Sequence, residues 1–384
     1  GIVGLMWGIG PNVMLVSAIV FLLLIISTLV RRFAGLHIPG FGGGSEISSN
    51  DSQTGFWNTI TIAVMKKPLI SMLAATAFLL ILAYFFLELE KGTSGIAVLP
   101  DEEPAKKAFQ TLDDKFGFGS DAPALIVIDG NVGSGSFQIA IENLEAAMIA
   151  EPGLNDPEIR VEPTVNLATL KSTIPGDPNN QQALVTIRRL RGELIPTAFK
   201  GVPISTYDAY VGGVSAQVVD SVKMTDDYMP IVIGIVLALS FILLLFAFRS
   251  ITISIASIIM NLLSVGAAYG LVVLVFQKGF MIEIFGFEQV EQIEFWLPLF
   301  MFSILFGLSM DYHVFMLSRI KERFDETGNA PESVAFGLRT TASIITGAAL
   351  IMVAVFGGFA LGQIAFFQAM GFGLGAAVLL DATI

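Results

Sequence analysis

The chain contains no cysteine, which rules out disulfides and thiolate chemistry within it. Its two histidines, without cysteine beside them, fall short of the usual zinc ligand set. Charge is scarce: Asp, Glu, Lys and Arg make up 14% of the residues, against about 25% in ordinary soluble domains. What charge there is leans acidic, with 21 Lys and Arg against 33 Asp and Glu and a net of −12. Such a balance lacks the basic surface that nucleic-acid binding needs. No Ser/His pair, phosphate loop or metal-ligand cluster is spaced for catalysis, so the expectation is a protein that is not an enzyme and has no cofactor.

Apolar residues are abundant, at 54%, with a mean hydropathy of +0.75. They gather in seven runs, roughly 10–30, 68–87, 229–248, 251–276, 297–318, 340–361 and 363–384. Each is long enough to cross ~30 Å of hydrocarbon at ~1.5 Å per residue. The polar stretch 88–227 between the second and third runs is large enough for a small domain with its own core. The chain opens on Gly1 and closes on Ile384 inside an apolar run, and it has no signal-peptide pattern. It reads as a piece of a longer protein.

Basic residues in short loops set the orientation. Arg31, Arg32, Lys66 and Lys67 lie between runs one and two, Arg249 between three and four, and Arg319, Lys321, Arg323 and Arg339 between five and six. The loop on the other side, 277–294, has Lys278 against Glu283, Glu288, Glu291 and Glu294. The alternation places the basic loops in the cytoplasm and 88–227 outside. The expected order is a transmembrane helix in 1–30, a cytoplasmic Gly/Ser-rich linker in 31–67 and a helix in 68–87. The outer domain 88–227 follows, then two helices in 228–276, the outer loop 277–294, and three helices in 295–384 with a cytoplasmic loop 319–339.

Within the outer domain, Ala124–Asp129 reads as a buried strand. Residues 136–150 carry Phe137, Ile141, Leu144 and Met148 at helical spacing. Residues 159–163, 183–187 and 204–211 read as further strands, and Gly212-Gly213 precedes a helix over 214–227. The pattern predicts a small α+β sandwich.

Polar groups inside the apolar runs need a reason, because a charge at the centre of a membrane helix costs at least ~2.5–3.5 kcal/mol. Asp311 lies sixteen residues beyond Phe295, ~24 Å along a helix axis. Asp381 lies fifteen residues beyond Phe366, ~22 Å along its own. Ser343 and Thr346 share one helical face near the inner end of the sixth run. With Asn261 nearer mid-membrane, these groups form a candidate polar layer around the pair Asp311-Tyr312. Desolvation favours a neutral carboxyl and a tyrosine hydroxyl favours the anion, so a carboxyl held between them can load and release a proton.

Each of these residues also has a plainer reading. As a lesser alternative, Asp311 reads as a structural hydrogen-bonding group that stays protonated; Tyr312 also reads as an interface anchor and Asp381 as an inner-boundary anchor. Asn261 and Ser264 suit helix–helix hydrogen bonding, and Gly266 and Gly270 suit close helix packing. Gly307, one turn before Asp311, leaves room for a neighbouring helix, while His313 projects to roughly the face opposite Asp311.

The segment Gly307-Leu-Ser-Met-Asp-Tyr-His-Val-Phe-Met-Leu-Ser-Arg-Ile-Lys-Glu322 resembles the tenth transmembrane helix of the MMPL family, in the resistance-nodulation-division (RND) superfamily. Met65-Lys-Lys-Pro68, Gly212-Gly213, Phe248-Arg-Ser250, Met260–Ala267 and Leu380-Asp-Ala-Thr383 resemble further family segments in the same order, so the resemblance covers 57–384. It implies a polytopic α-helical membrane protein with an inserted α+β extracytoplasmic porter domain, and a chain that is half of an RND-type pseudo-repeat in the prokaryotic plasma membrane. It implies Asp311 and Tyr312 as half of a proton relay whose other Asp-Tyr pair lies in an N-terminal half not contained in these residues. The implied partners are the lipid bilayer, protons, that missing half and a hydrophobic or amphipathic lipid-like or drug-like substrate. The implied activity is proton-driven export. The alternatives are coupling to sodium, or a non-transporting module of the superfamily that senses sterols or lipids or assists protein translocation.

Overall fold

A computed structural model of the chain describes residues 61–384 apart from 63, 100–102, 117–121 and 156. The expected helix in 10–30 and most of the expected linker lie outside the described residues. In chain order the elements are α1 (Pro68–Tyr84), β1 (Lys91–Gly92), α2 (Pro104–Phe116), β2 (Ala124–Gly130), α3 (Gly135–Ile149), β3 (Glu158–Glu162) and β4 (Leu167–Ser172). Then come α4 (Gln181–Arg189), β5 (Tyr207–Gly212), α5 (Val214–Phe248), α6 (Ile251–Val272), β6 (Ile293–Glu294), α7 (Leu297–Thr327), α8 (Ala330–Ala360) and α9 (Ala365–Thr383). Among the described residues, six helices are long and apolar enough to cross a membrane: α1, α5, α6, α7, α8 and α9, with α1 continued by a 3₁₀ turn and α6 by a π-helical turn.

The chain divides into two compact units. One holds the sheet and runs from Glu90 to Met229, together with Val290–Trp296. Four of its strands pair antiparallel in the order β3-β4-β2-β5, with Ile126 opposite Leu170 on one side and Val211 on the other, while β1 and β6 form a separate parallel pair. Alternation decides the faces: Ala124, Ile126 and Ile128 are buried, whereas Leu125 is 42% exposed. Onto the buried face pack Phe137, Leu144 and Met148 of α3, Leu184 and Ile187 of α4, and Phe199. This is a two-layer α+β arrangement.

Ala183–Ile187, expected as a strand, is helical. Asn180 caps α4 by accepting from the Ala183 N–H at 2.7 Å, and Ala183, Leu184 and Ile187 recur at helical spacing on the core side. The β-branched residues Val185 and Thr186 gave the segment its strand-like look, and tertiary burial overrides that preference. The stretch 204–211 divides, with a 3₁₀ turn at Ile204–Thr206 and strand only from Tyr207. Strand β4 was not anticipated, although Ala168, Leu170 and Ser172 alternate into the core.

Gly213, between β5 and α5, has φ +111°, a conformation suited to glycine. A Cβ there would collide with the carbonyl of Pro123. Arg191 fastens the start of α5, reaching both carboxylate oxygens of Asp220, one at 3.0 Å, and the Val211 carbonyl at 2.6 Å. Glu151 is buried and paired to Arg189 at 2.8 Å.

The other unit is helical and holds α1, α6, α7, α8, α9 and the part of α5 from Pro230 onward. Helix α6 packs against α1, α7 and α9, and α8 packs against α7 and α9. At Gly270 the backbone of α6 closes on α1 so tightly that a Cβ would collide with the Leu82 carbonyl, while a Cβ on Gly266 would sit 3.4 Å from that of Ala83. The buried Tyr269 hydroxyl donates to the Pro298 carbonyl at the head of α7. Residues 319–339, expected as a loop, are helical except at Gly328 and Asn329. The apolar run marks only the apolar part of each helix; the polar turns beyond it continue, closed by Gly328 at φ +66° and by Asn329 capping α8.

Candidate functional site: a polar cavity between three helices

Helices α6, α7 and α9 enclose a cavity of about 10 Å³. Asn261, Ser264 and Val265 of α6, Leu305, Leu308, Ser309 and Tyr312 of α7, and Ala377, Val378 and Asp381 of α9 line it. Asn261 is fully buried, and Ser264 and Ser309 are each 6% exposed. The Ser309 hydroxyl donates to Asn261 Oδ1 at 2.7 Å and also interacts with the Asp381 carboxyl. Three buried polar atoms that line this space have no hydrogen-bond partner: Asn261 Nδ2, Ser264 Oγ and Asp381 Oδ2.

The helical period explains which residues of α7 reach the cavity. Leu305, Leu308, Ser309 and Tyr312 follow one face at steps of three and four. Asp311, one residue before Tyr312, is turned about 100° away. It lies on an exposed stripe with Ser303, Gly307, Phe315 and Ser318. The sequence pairs Asp311 and Tyr312, but the helix places the tyrosine at the cavity and leaves the aspartate exposed among the described residues. Tyr312 reaches Met352 Sδ of α8 at 3.3 Å through its hydroxyl. His313 Nδ1 lies 3.1 Å from the Ser309 carbonyl, and the imidazole interacts electrostatically with Asp381.

The polar layer expected from the sequence is brought together only in part. Asn261 and Asp381 meet at the cavity with Tyr312. Ser343 and Thr346 are exposed residues of α8 and do not line it; the Thr346 hydroxyl is occupied by the Ala342 carbonyl at 2.6 Å. Gly307 has no neighbour at contact distance among the described residues, so no helix of this unit uses the space it leaves. Ser309, which bridges α7 to α6, was missed. Its available signal was position, one turn before His313 and three residues before Tyr312 on the same face. Among the described residues no group of three or more His, Asp or Glu is placed to hold a metal ion.

A model of the MMPL family matches residues 166–384, which include α5 to α9 and every residue of the cavity. The mycolic acid-containing lipids exporter MmpL11 of Mycolicibacterium smegmatis is 32% identical over 342 residues, covering 87% of this chain and 35% of that protein. The heme uptake protein MmpL11 of Mycobacterium tuberculosis is 30% identical over 344 residues, covering 87% of this chain and 34% of that protein. A solved structure of SecDF in its super-membrane-facing form aligns with a TM-score of 0.40 at 13% identity, covering 83% of this chain and 36% of that one. The chain thus spans about a third of the length of these curated relatives. Six apolar helices and bacterial relatives make it a multi-pass protein of the plasma membrane. With more than half of its length matched by the family model, and the intramembrane carboxylates inside the matched region, the chain belongs to the MMPL family.

Proposed function

We propose that the protein containing these residues exports hydrophobic or amphipathic molecules, lipid-like or drug-like, at the expense of the proton gradient. The observation that carries the reading is Asp311-Tyr312 on α7, a carboxylate and a phenol on adjacent faces of one membrane helix, with the phenol at a buried polar cavity. In the proposal Asp311 and Tyr312 are the relay, and Asn261 and Asp381 support it from the cavity. Ser343 and Thr346 support it from the exposed face of α8. A proton crossing the membrane supplies about 2.3 kcal/mol per 100 mV, enough to bias a conformational equilibrium by roughly fiftyfold. The names of the two relatives, one a lipid exporter and one a heme uptake protein, support an amphipathic cargo. The sheet unit is assigned to the outer side, on the strength of the basic residues in the alternate loops.

The test is Asp311→Asn in the full-length protein, with proton-dependent export measured in inverted vesicles. Export should be lost while the protein remains in the membrane. Undiminished export would overturn the relay. A protein that senses lipids or assists translocation without transporting would show no gradient-dependent flux with either residue.

A further inference from the structure

The orphaned atoms at the cavity point to a ligand. Asn261 Nδ2 is a donor, Asp381 Oδ2 an acceptor when charged, and the Ser264 hydroxyl is either. All three are buried and all three residues line one cavity of about 10 Å³. Buried polar atoms are nearly always hydrogen-bonded. A buried water needs two to four polar partners and roughly 10–15 Å³. We propose that this cavity is a binding site for a single water molecule, held by Asn261, Ser264 and Asp381, and that it makes Asp381 a second protonatable site separate from the exposed Asp311. The consequence for flux rests on the proton-driven reading above; the site itself does not.

The chemistry favours water over a metal cation. Ser309 donates to Asn261 Oδ1 and so turns Nδ2 away from itself. A cation would meet an N–H donor there, whereas a water accepts from it. The same water donates to the charged Asp381 carboxyl, or accepts from the protonated one while donating to Ser264. Changing the charge of Asp381 therefore reorients the water and moves no heavy atom. The titratable neighbours are Tyr312, which lines the cavity, and His313, which interacts with Asp381 from the same helix. Tyr312 adjoins Asp311 in sequence and reaches the cavity with its ring, so it is the residue that connects the two carboxyls.

The test uses the full-length protein in proteoliposomes and infrared difference spectroscopy across a pH step. The carboxyl band of Asp381 is assigned by its loss in Asp381→Asn. In Ser264→Val, which fills the space and removes one partner, the Asp381 carboxyl band should shift to higher frequency. A water O–H band sensitive to H₂¹⁸O should vanish in the same variant. Ser264→Thr, which keeps the hydroxyl, should retain both signals. An unshifted carboxyl band in Ser264→Val, or no isotope-sensitive band in the parent, would overturn the site. A carboxyl band that responds to sodium at fixed pH would overturn it in favour of a cation. Proton-coupled flux should fall on the order of 10²-fold in Asp381→Asn, the scale of a lost proton-transfer group. The spectroscopic signals do not depend on flux, so they stand even where Asp311→Asn leaves export intact.

Discussion

Ser309 of α7 and Asn261 of α6 are joined by a 2.7 Å hydrogen bond at a fully buried point between two apolar helices. Ser309→Ala removes the donor and leaves the Asn261 carbonyl oxygen without its partner. The expected loss is about 1 kcal/mol, the usual scale for a side-chain hydrogen bond between membrane helices. It is read as a lower melting temperature of the purified protein in detergent. Asn261→Leu should cost more, because it overfills the site and also removes the acceptor that Ser309 uses on α6.

Close helix approach at Gly270 makes a second prediction. A methyl there meets the Leu82 carbonyl, which is backbone and cannot rotate aside. Gly270→Ala should therefore separate α6 from α1 and destabilise the helical unit by about 1–3 kcal/mol, the range for overpacking. Gly266→Ala, where the neighbour is a side-chain methyl at 3.4 Å, should be milder. Parallel melting curves of the two variants decide the ranking.

Gly213 is constrained twice, by φ +111° and by the Pro123 carbonyl. Gly213→Ala should strain the link between β5 and α5 by about 1–3 kcal/mol. Limited proteolysis should then cut the sheet unit faster than in the parent, at an unchanged rate in the α7–α8 turn.

The orientation can be read chemically. Because the chain has no cysteine of its own, Glu158→Cys in β3 and Glu326→Cys near the end of α7 each place a single thiol at an exposed position in it. In a full-length parent with no other reactive thiol, a membrane-impermeant maleimide on intact cells should label position 158 and spare 326. The reverse pattern would invert the topology.

Each of six apolar runs falls largely within a described helix long and apolar enough to cross a membrane, because crossing a bilayer demands a minimum length of any sequence. Helix ends were not legible. Nothing in hydropathy separates the polar turns Arg319–Thr327 of α7 from a loop, and only Gly328 and the cap at Asn329 mark the true break. Ala183–Ile187 misled because Val185 and Thr186 suit strands, while the decisive signal, the Asn180 cap, lies upstream of the apolar residues. At the site, Asp381 and Asn261 stood out as polar residues in apolar runs, whereas Ser309 looked like one small residue among many. Which faces meet is a property of three helices together, and so the separation of Asp311 from Tyr312 emerged only with the fold.

The outward position of Asp311 bears on the charge that the helical unit can carry by itself. The carboxyl of Asp311 lies on an exposed stripe of α7 that none of the described residues covers. Ser303 and Ser318 on the same stripe satisfy their hydroxyls on their own helix, at the carbonyls of Leu299 and Val314, but an aspartate has no comparable local escape. With that stripe facing hydrocarbon, the charged form of Asp311 would cost at least ~2.5–3.5 kcal/mol, so the helical unit taken alone favours the neutral acid there.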